Sequence, residues 1–251
     1  MTMDKLKGKT VLITGGSSGI GLATAKLFRD HGARLAITGR DPDGLARARE
    51  QLGSETLVIR SDAGKIDDIA SLMQQVNKHF KRLDVLFVNA AVATAAPLEH
   101  VSETQYDEIM GINCKGVFFT IQQALPLFGD NTSIIVTTSI TNQLGSPNFS
   151  VYGASKAALR SLVKSLSLEL IGRGIRINAI SPGPIATPTF ERFGLPADTV
   201  QAIKGDIEHK SPIKRFGTPE EIAKVALFLA SDDSTYLVGE EIVVDGGMSL
   251  L

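Results

Sequence analysis

Short β-branched apolar runs alternate along the chain with longer stretches whose apolar residues recur every three or four positions. Thr10-Val11-Leu12-Ile13-Thr14 is continuously apolar at its centre, which predicts a strand covered on both faces. Residues 20–31 place Ile20, Ala23, Leu27 and Phe28 on one helical stripe, and Gly32 supplies a stop. The same reading predicts strands at 35–38, 56–59, 85–88, 133–138, 175–180 and 241–244. Helices are predicted at 42–52, 66–80, about 103–110, 116–128, 152–171 and 219–229. The long helix carries Leu159, Leu162, Val163, Leu166 and Leu170 on one face. Repeated strand–helix–strand order predicts an α/β fold with a doubly wound, seven-stranded parallel sheet and helices on both faces. Nothing divides the chain, so one domain over 1–251 is expected. The stretch 181–214 shows no regular element in this reading. A connection of that length is usually functional, and its 187–212 part is the candidate substrate lid.

Composition narrows the classes. Hydrophobic residues are 43% and charged residues 21%, which excludes disorder, and no apolar run approaches the roughly 18 residues of a membrane span. Lys plus Arg is 26 against 27 Asp plus Glu, so nucleic acid finds no basic footprint. The single Cys114 excludes an intrachain disulfide, and its surroundings supply no base for a nucleophile. The four histidines show no ligand spacing, so no catalytic metal is expected. The amino terminus is charged with no apolar region behind it, so a cytoplasmic location is expected by default and two sequon matches carry no weight.

The first strand runs straight into Thr14-Gly15-Gly16-Ser17-Ser18-Gly19-Ile20-Gly21 and then a helix. Glycines let a backbone approach a pyrophosphate, and a helix amino end offers free N–H groups and positive potential. The spacing does not fit GxGxxG, and a plain glycine-rich turn explains it about as well in isolation; its place in the first βα unit favours a phosphate loop. Of three tyrosines, only Tyr152 has a lysine four positions on, Lys156, so that a phenol and an ammonium share one helix face.

These motifs together resemble the short-chain dehydrogenase/reductase family, over nearly the whole length. Thr14-Gly15 through Gly19-x-Gly21 is similar to that family's own cofactor loop. Asn89-Ala90-Ala91-Val92 is similar to its NNAG segment, with valine for glycine. Ser181-Pro182-Gly183-Pro184-Ile185-Ala186-Thr187 and Asp245-Gly246-Gly247 resemble two further motifs. The resemblance implies a Rossmann-type fold and a catalytic tetrad of Asn113, Ser139, Tyr152 and Lys156, with Ser139 thirteen residues before Tyr152. Taken alone, Asn113 reads better as a helix cap, and Thr137 and Thr138 are rival hydroxyls for Ser139. The implied cofactor contacts are Gly15, Ser17, Ser18, Gly19, Ile20, Gly21, Arg40, Asp62, Ala63, Asn89, Ala90, Ala91, Tyr152, Lys156, Pro182, Gly183, Ile185 and Thr187.

The implied chemistry is hydride transfer to a carbonyl. Ser139 and Tyr152 would donate to its oxygen, Tyr152 as general acid. Lys156 would hold the nicotinamide ribose and lower the tyrosine pKa, and Asn113 would hold a water. Oxidation of an alcohol needs the tyrosinate, so alkaline conditions should favour it. Gly39 leaves no carboxylate for an NAD ribose, while Arg40 can fork onto a 2′-phosphate. NADP is therefore expected over NAD, unless Arg40 is solvated or pairs with Asp41 or Asp43. The expected activity is an NADPH-dependent carbonyl reductase, reversible as an alcohol dehydrogenase, on a small or medium ketone or keto ester. The alternatives are a 3-oxoacyl-carrier-protein reductase, an NAD-dependent alcohol or polyol dehydrogenase, and a non-catalytic NADP-binding regulator. The substrate face should come from 140–150 and from Phe190, Phe193, Leu195, Val200 and Ile203, residues that amphipathic helix packing explains equally well. A homotetramer is implied, with no nucleic-acid or membrane partner.

Overall fold

The computed structural model describes residues 4–188 and 197–251. Seven strands, β1 (Thr10–Thr14), β2 (Arg34–Gly39), β3 (Leu57–Arg60), β4 (Leu83–Val88), β5 (Phe128–Thr137), β6 (Ile175–Pro182) and β7 (Glu241–Val244), form one sheet ordered β3-β2-β1-β4-β5-β6-β7. All six pairings are parallel. The helices are α1 (Gly19–Asp30), α2 (Pro42–Leu52), α3 (Ile66–Phe80), α4 (Glu103–Met110), α5 (Val117–Ala124), α6 (Ser150–Leu170), α7 (Ala197–Lys210) and α8 (Pro219–Ala230).

Successive strand residues face opposite sides, and here both sides are covered. Leu12, Leu86, Ile134 and Ile177 pack with Val76 of α3, Ile121 of α5 and Leu159 and Val163 of α6. Val11, Ile13, Phe87 and Ile135 pack with Phe28 of α1, Ala48 of α2 and Ile222 and Ala226 of α8. This is why the strands read as unbroken apolar runs. Each such fully buried aliphatic or aromatic side chain contributes about 1.5–3 kcal/mol.

Helix starts follow local chemistry. Asp41 caps α2 by accepting from the N–H groups of Asp43 and Gly44, with Pro42 in the first turn. Thr218 and Glu221 form a reciprocal capping box at α8.

Two stretches differ from the sequence reading. The gap expected between 110 and 116 is a π-helical turn, Gly111–Gly116, that joins α4 to α5 without a break, and a short 3-10 turn at Leu125–Leu127 then leads into β5 at Phe128. The stretch read as irregular, 181–214, holds the end of β6 and the whole of α7. Val200, Ile203 and Ile207 have helical spacing there, yet Val200 is only half-buried and Ile203 exposed, so α7 adds little to the core. Of the other lid residues, Phe190, Phe193 and Leu195 lie outside the described residues.

Candidate active site

Strand order reverses between β1 and β4, and the loops leaving their carboxyl ends part there to leave a crevice. The loop after β1 ends where α1 begins at Gly19, so the helix amino end points its N–H groups at the crevice. Gly21 lies so close to the preceding turn that a Cβ on it would stand 2.1 Å from the Gly15 carbonyl oxygen. Ser17, Ser18 and Ile20 complete this cradle. A Cβ on Gly39 would meet the Ser17 hydroxyl at 2.7 Å, so a side chain here would have to turn that hydroxyl aside. The PG segment returns over the same place: the Thr187 methyl lies 3.2 Å from where a Gly19 Cβ would be. Pro182 and Ile185 are buried beneath it, and Gly183 packs on Asp245 with its N–H donating to the Val244 carbonyl. A main-chain cradle of this kind, closed by a helix amino end, fits the pyrophosphate of a dinucleotide.

Asn89 is the joint between this cradle and the rest of the site. Its Nδ2 reaches the carbonyls of Thr14 and Gly15 at 3.4 and 3.3 Å, and its Oδ1 accepts from the Thr137 hydroxyl at 3.2 Å. The N–H groups of Asn89 and Ala90 both donate to the Thr14 hydroxyl, and Ala91 follows, exposed, at the crevice.

Arg40 and Asp62 line one opening of about 340 Å³ with Arg60, Lys65, Asp68 and Ser71. Asp62 accepts from the Gly64 N–H, and Ala63 is half-buried beside it. Arg40 is exposed and pairs with neither Asp41 nor Asp43. Its partner is Glu108, at 3.7 Å, while Asp41 caps α2 and stands 3.7 Å from Arg47. An exposed pair at that distance is worth about 0–1 kcal/mol, too little to hold the guanidinium away from a phosphate.

The tetrad residues converge from three elements. Ser139 follows β5 and caps the 3-10 turn Ile140–Asn142. Its hydroxyl oxygen accepts from the Thr141 N–H and hydroxyl at 3.3 and 3.0 Å, and its side chain lies near enough to the Tyr152 phenol to pull its pKa down. The rival hydroxyls are engaged elsewhere, Thr137 with Asn89 and Thr138 with the Ile180 carbonyl and Glu241. Lys156 is buried, donates to the Thr137 carbonyl at 2.8 Å and lies 5.7 Å from the Tyr152 ring centroid. Asn113 is wholly buried in the π turn, where it is no helix cap. Its Oδ1 accepts from the Val92 N–H, and its Nδ2 donates to the Val92 carbonyl and the Ser155 hydroxyl. With both amide protons in use, a water at Asn113 would have to donate to an acceptor there.

Burial sets the charges. It pushes the Lys156 ammonium down from 10.5 to about 8. It also pushes the Tyr152 phenol up, against the Ser139 hydrogen bond that pulls it down. Burial raises the Asp245 carboxyl, but bonds from Ser249 and Gly247 outweigh this and leave it low.

The 140–150 stretch lines a second opening of about 190 Å³, with Thr141, Leu144, Ser146 and Phe149 beside the start of α6. The Phe149 and Tyr152 rings meet edge-on at 6.1 Å. Sequence reading missed Ser155 and Glu241. Ser155 sits inside the Tyr152–Lys156 turn and could have been suspected from that alone. Glu241 opens a strand like many solvated carboxylates, and no local signal marks it.

The chain is similar over nearly its whole length to known proteins. A family model described as enoyl-(acyl carrier protein) reductase matches residues 15–249. The chain is 41% identical to the oxidoreductase asL5 of Sarocladium schorii over 98% of each chain. It is 37% identical to the 3-oxoacyl-[acyl-carrier-protein] reductase FabG of Thermotoga maritima, over 97% of this chain and 99% of that one. A crystal structure of a short-chain dehydrogenase/reductase (glucose/ribitol dehydrogenase) from Brucella melitensis superposes with a TM-score of 0.91 at 32% identity, covering 98% of both chains.

Proposed function

The chain belongs to the short-chain dehydrogenase/reductase family, and from that premise we propose that it is an NADPH-dependent carbonyl reductase, reversible as an alcohol dehydrogenase, for a small or medium ketone or keto ester. The observation that carries this reading is the Ser139–Tyr152–Lys156 cluster, joined to the glycine cradle through Asn89 and Thr137.

Bound in the cradle, a reduced nicotinamide supplies hydride to the carbonyl carbon. Charge then develops on the carbonyl oxygen, where donors set in advance stabilise it. Two donors already feed the Ser139 oxygen, so its own proton is the one left to donate. Tyr152 gives up the phenolic proton as general acid. A phenol raised by burial is protonated at neutral pH, which suits reduction and confines oxidation to alkaline conditions. Lys156 holds the ribose side and carries the positive charge nearest the forming tyrosinate.

NADP over NAD rests on Arg40 at the mouth of the opening and on Gly39, which offers no carboxylate to a ribose. The opening beside Tyr152, modest in volume and lined by Leu144 and Phe149, favours a small substrate with an apolar part. A homotetramer is consistent with Leu168, Leu250 and Leu251, which are 78%, 87% and 78% exposed. A carrier-protein thioester is the second reading, favoured by the relationship to the Thermotoga maritima enzyme. Against it, the segment opening β5 presents the exposed acidic Asp130, and the basic group beside it, Arg82, is tied to the Asp130 carbonyl and to Asp84.

The test is a screen of NADPH oxidation over simple ketones, keto esters and carrier-protein thioesters, with NADH in parallel and Tyr152→Phe as control. Turnover of free keto esters, lost in the variant, is expected. A strong preference for carrier-protein thioesters selects the second reading, and cofactor binding without turnover of any carbonyl overturns both.

A further inference from the structure

Glu241 is the first residue of β7, and its side chain is 8% exposed. A carboxylate so covered is costly unless donors surround it, and here four do. Oε1 accepts from the Thr138 hydroxyl at 2.5 Å and from Asn142 Nδ2 at 2.6 Å. Oε2 accepts from Gln143 Nε2 at 3.2 Å and faces Arg160 Nε at 3.3 Å. Three of these donors sit in the 138–143 segment and bracket Ser139. The fourth is on α6, one turn beyond Lys156. Among the described residues the main-chain bonds of this turn are internal, from Asn142 to Ser139 and from Gln143 and Leu144 to Ile140, and its main-chain tie to the sheet is the Thr138 N–H on the Ile180 carbonyl, before Ser139.

We infer that Glu241 is a positioning residue for the reaction: by gripping Thr138, Asn142 and Gln143 it fixes the turn that aims the Ser139 hydroxyl at Tyr152. This rests on the catalytic reading of Ser139 and Tyr152 given above. Glu241 touches neither cradle nor substrate opening, so its removal acts on turnover and not on cofactor affinity. The charged groups facing this network are Arg160 and Lys156 of α6 and Glu241 itself. Substituting Glu241 leaves Lys156 and its bond to Thr137 in place.

The test compares Glu241→Ala, Glu241→Gln, Asn142→Ala and Ser139→Ala in kcat, in NADPH dissociation constant and in the pH profile of alcohol oxidation. Glu241→Ala should lower kcat about ten- to hundredfold, as a small misplacement does, and leave the dissociation constant within about twofold. The Ser139 bond lowers the tyrosine pKa, so losing it should move the rising limb of oxidation to higher pH. Adding Ser139→Ala to Glu241→Ala should move that limb no further. Glu241→Gln, whose Oε1 still accepts from Thr138 and Asn142, should recover most of kcat. If Glu241→Ala does not fold, Asn142→Ala carries the test, with the same shift to a lesser extent. An inactive Ser139→Ala beside unchanged kcat and pH limb in the Glu241 or Asn142 variant overturns the inference alone. A fully active Ser139→Ala overturns the catalytic reading on which it rests.

Discussion

The two halves of the sheet build their parts of the site by opposite means. Around β1, β2 and α1 the site is made by leaving side chains out. Gly21 and Gly39 stand where a Cβ would collide with the Gly15 carbonyl or the Ser17 hydroxyl, which leaves main chain to line the cradle. Around β5, α6 and β7 it is made by side chains that hold one another, Asn89 with Thr137, Asn113 with Ser155 and Glu241 with Thr138 and Asn142, and by Lys156 on the Thr137 carbonyl. The first kind of site tolerates no addition, and the second tolerates no subtraction.

The largest test of that contrast is Lys156→Met. Turnover should fall by about a thousandfold, in the range of a lost acid–base group, yet the fold should become more stable. The folded-state pKa of about 8 lies below the ordinary 10.5, so between those values the unfolded chain binds more protons. Stability of the parent therefore rises with pH through that window, and below it the buried ammonium costs about 3 kcal/mol. The orphaned Thr137 carbonyl gives back part of this, leaving a gain of about 1–2 kcal/mol at pH 7. Thermal melts from pH 7 to 10.5 check it; a lower Tm than the parent at pH 7 would break the contrast.

Gly21→Ala is the converse, an addition in the first half. Overpacking of about 1–3 kcal/mol should weaken NADPH binding about ten- to hundredfold in fluorescence titration, with kcat at saturating cofactor nearly kept. Equal loss in both would show that the cradle and the catalytic cluster do not act separately. The smallest effect expected is from Arg40→Ala. It removes one charged contact of about 1.5 kcal/mol, so KM for NADPH should rise about tenfold while that for NADH stays put. Equal changes for both cofactors would refute the assignment of Arg40.

The contrast also explains what the sequence disclosed. The glycine cradle was legible because absence of side chains is written in consecutive residues, 14–21. Residues 10–14, 42–52, 66–80 and 241–244 match β1, α2, α3 and β7 to the residue, because turn, cap and periodicity agree there. Where continuity crossed a residue type, reading failed. Gly111 and Gly116 suggested a break, but the π turn carries the helix through them. In 181–214, Pro182, Pro184, Pro188 and Pro196 masked the sparse apolar spacing of α7. Tyr152 and Lys156 were visible through local spacing. The network that holds Ser139 was not, because Glu241 and Thr138 are 103 positions apart.

That separation has a consequence in time. The glycine turn of the cradle is framed by β1, α1, β2 and β4 with Asn89 behind it, all complete by residue 89, before the PG segment returns over it. The Ser139 turn needs a carboxylate delivered by β7, the last strand of the sheet to be synthesised, and distant parallel pairings form late. During refolding, nucleotide binding should therefore return before turnover, so that the appearance of catalysis marks the moment the chain has closed its final strand.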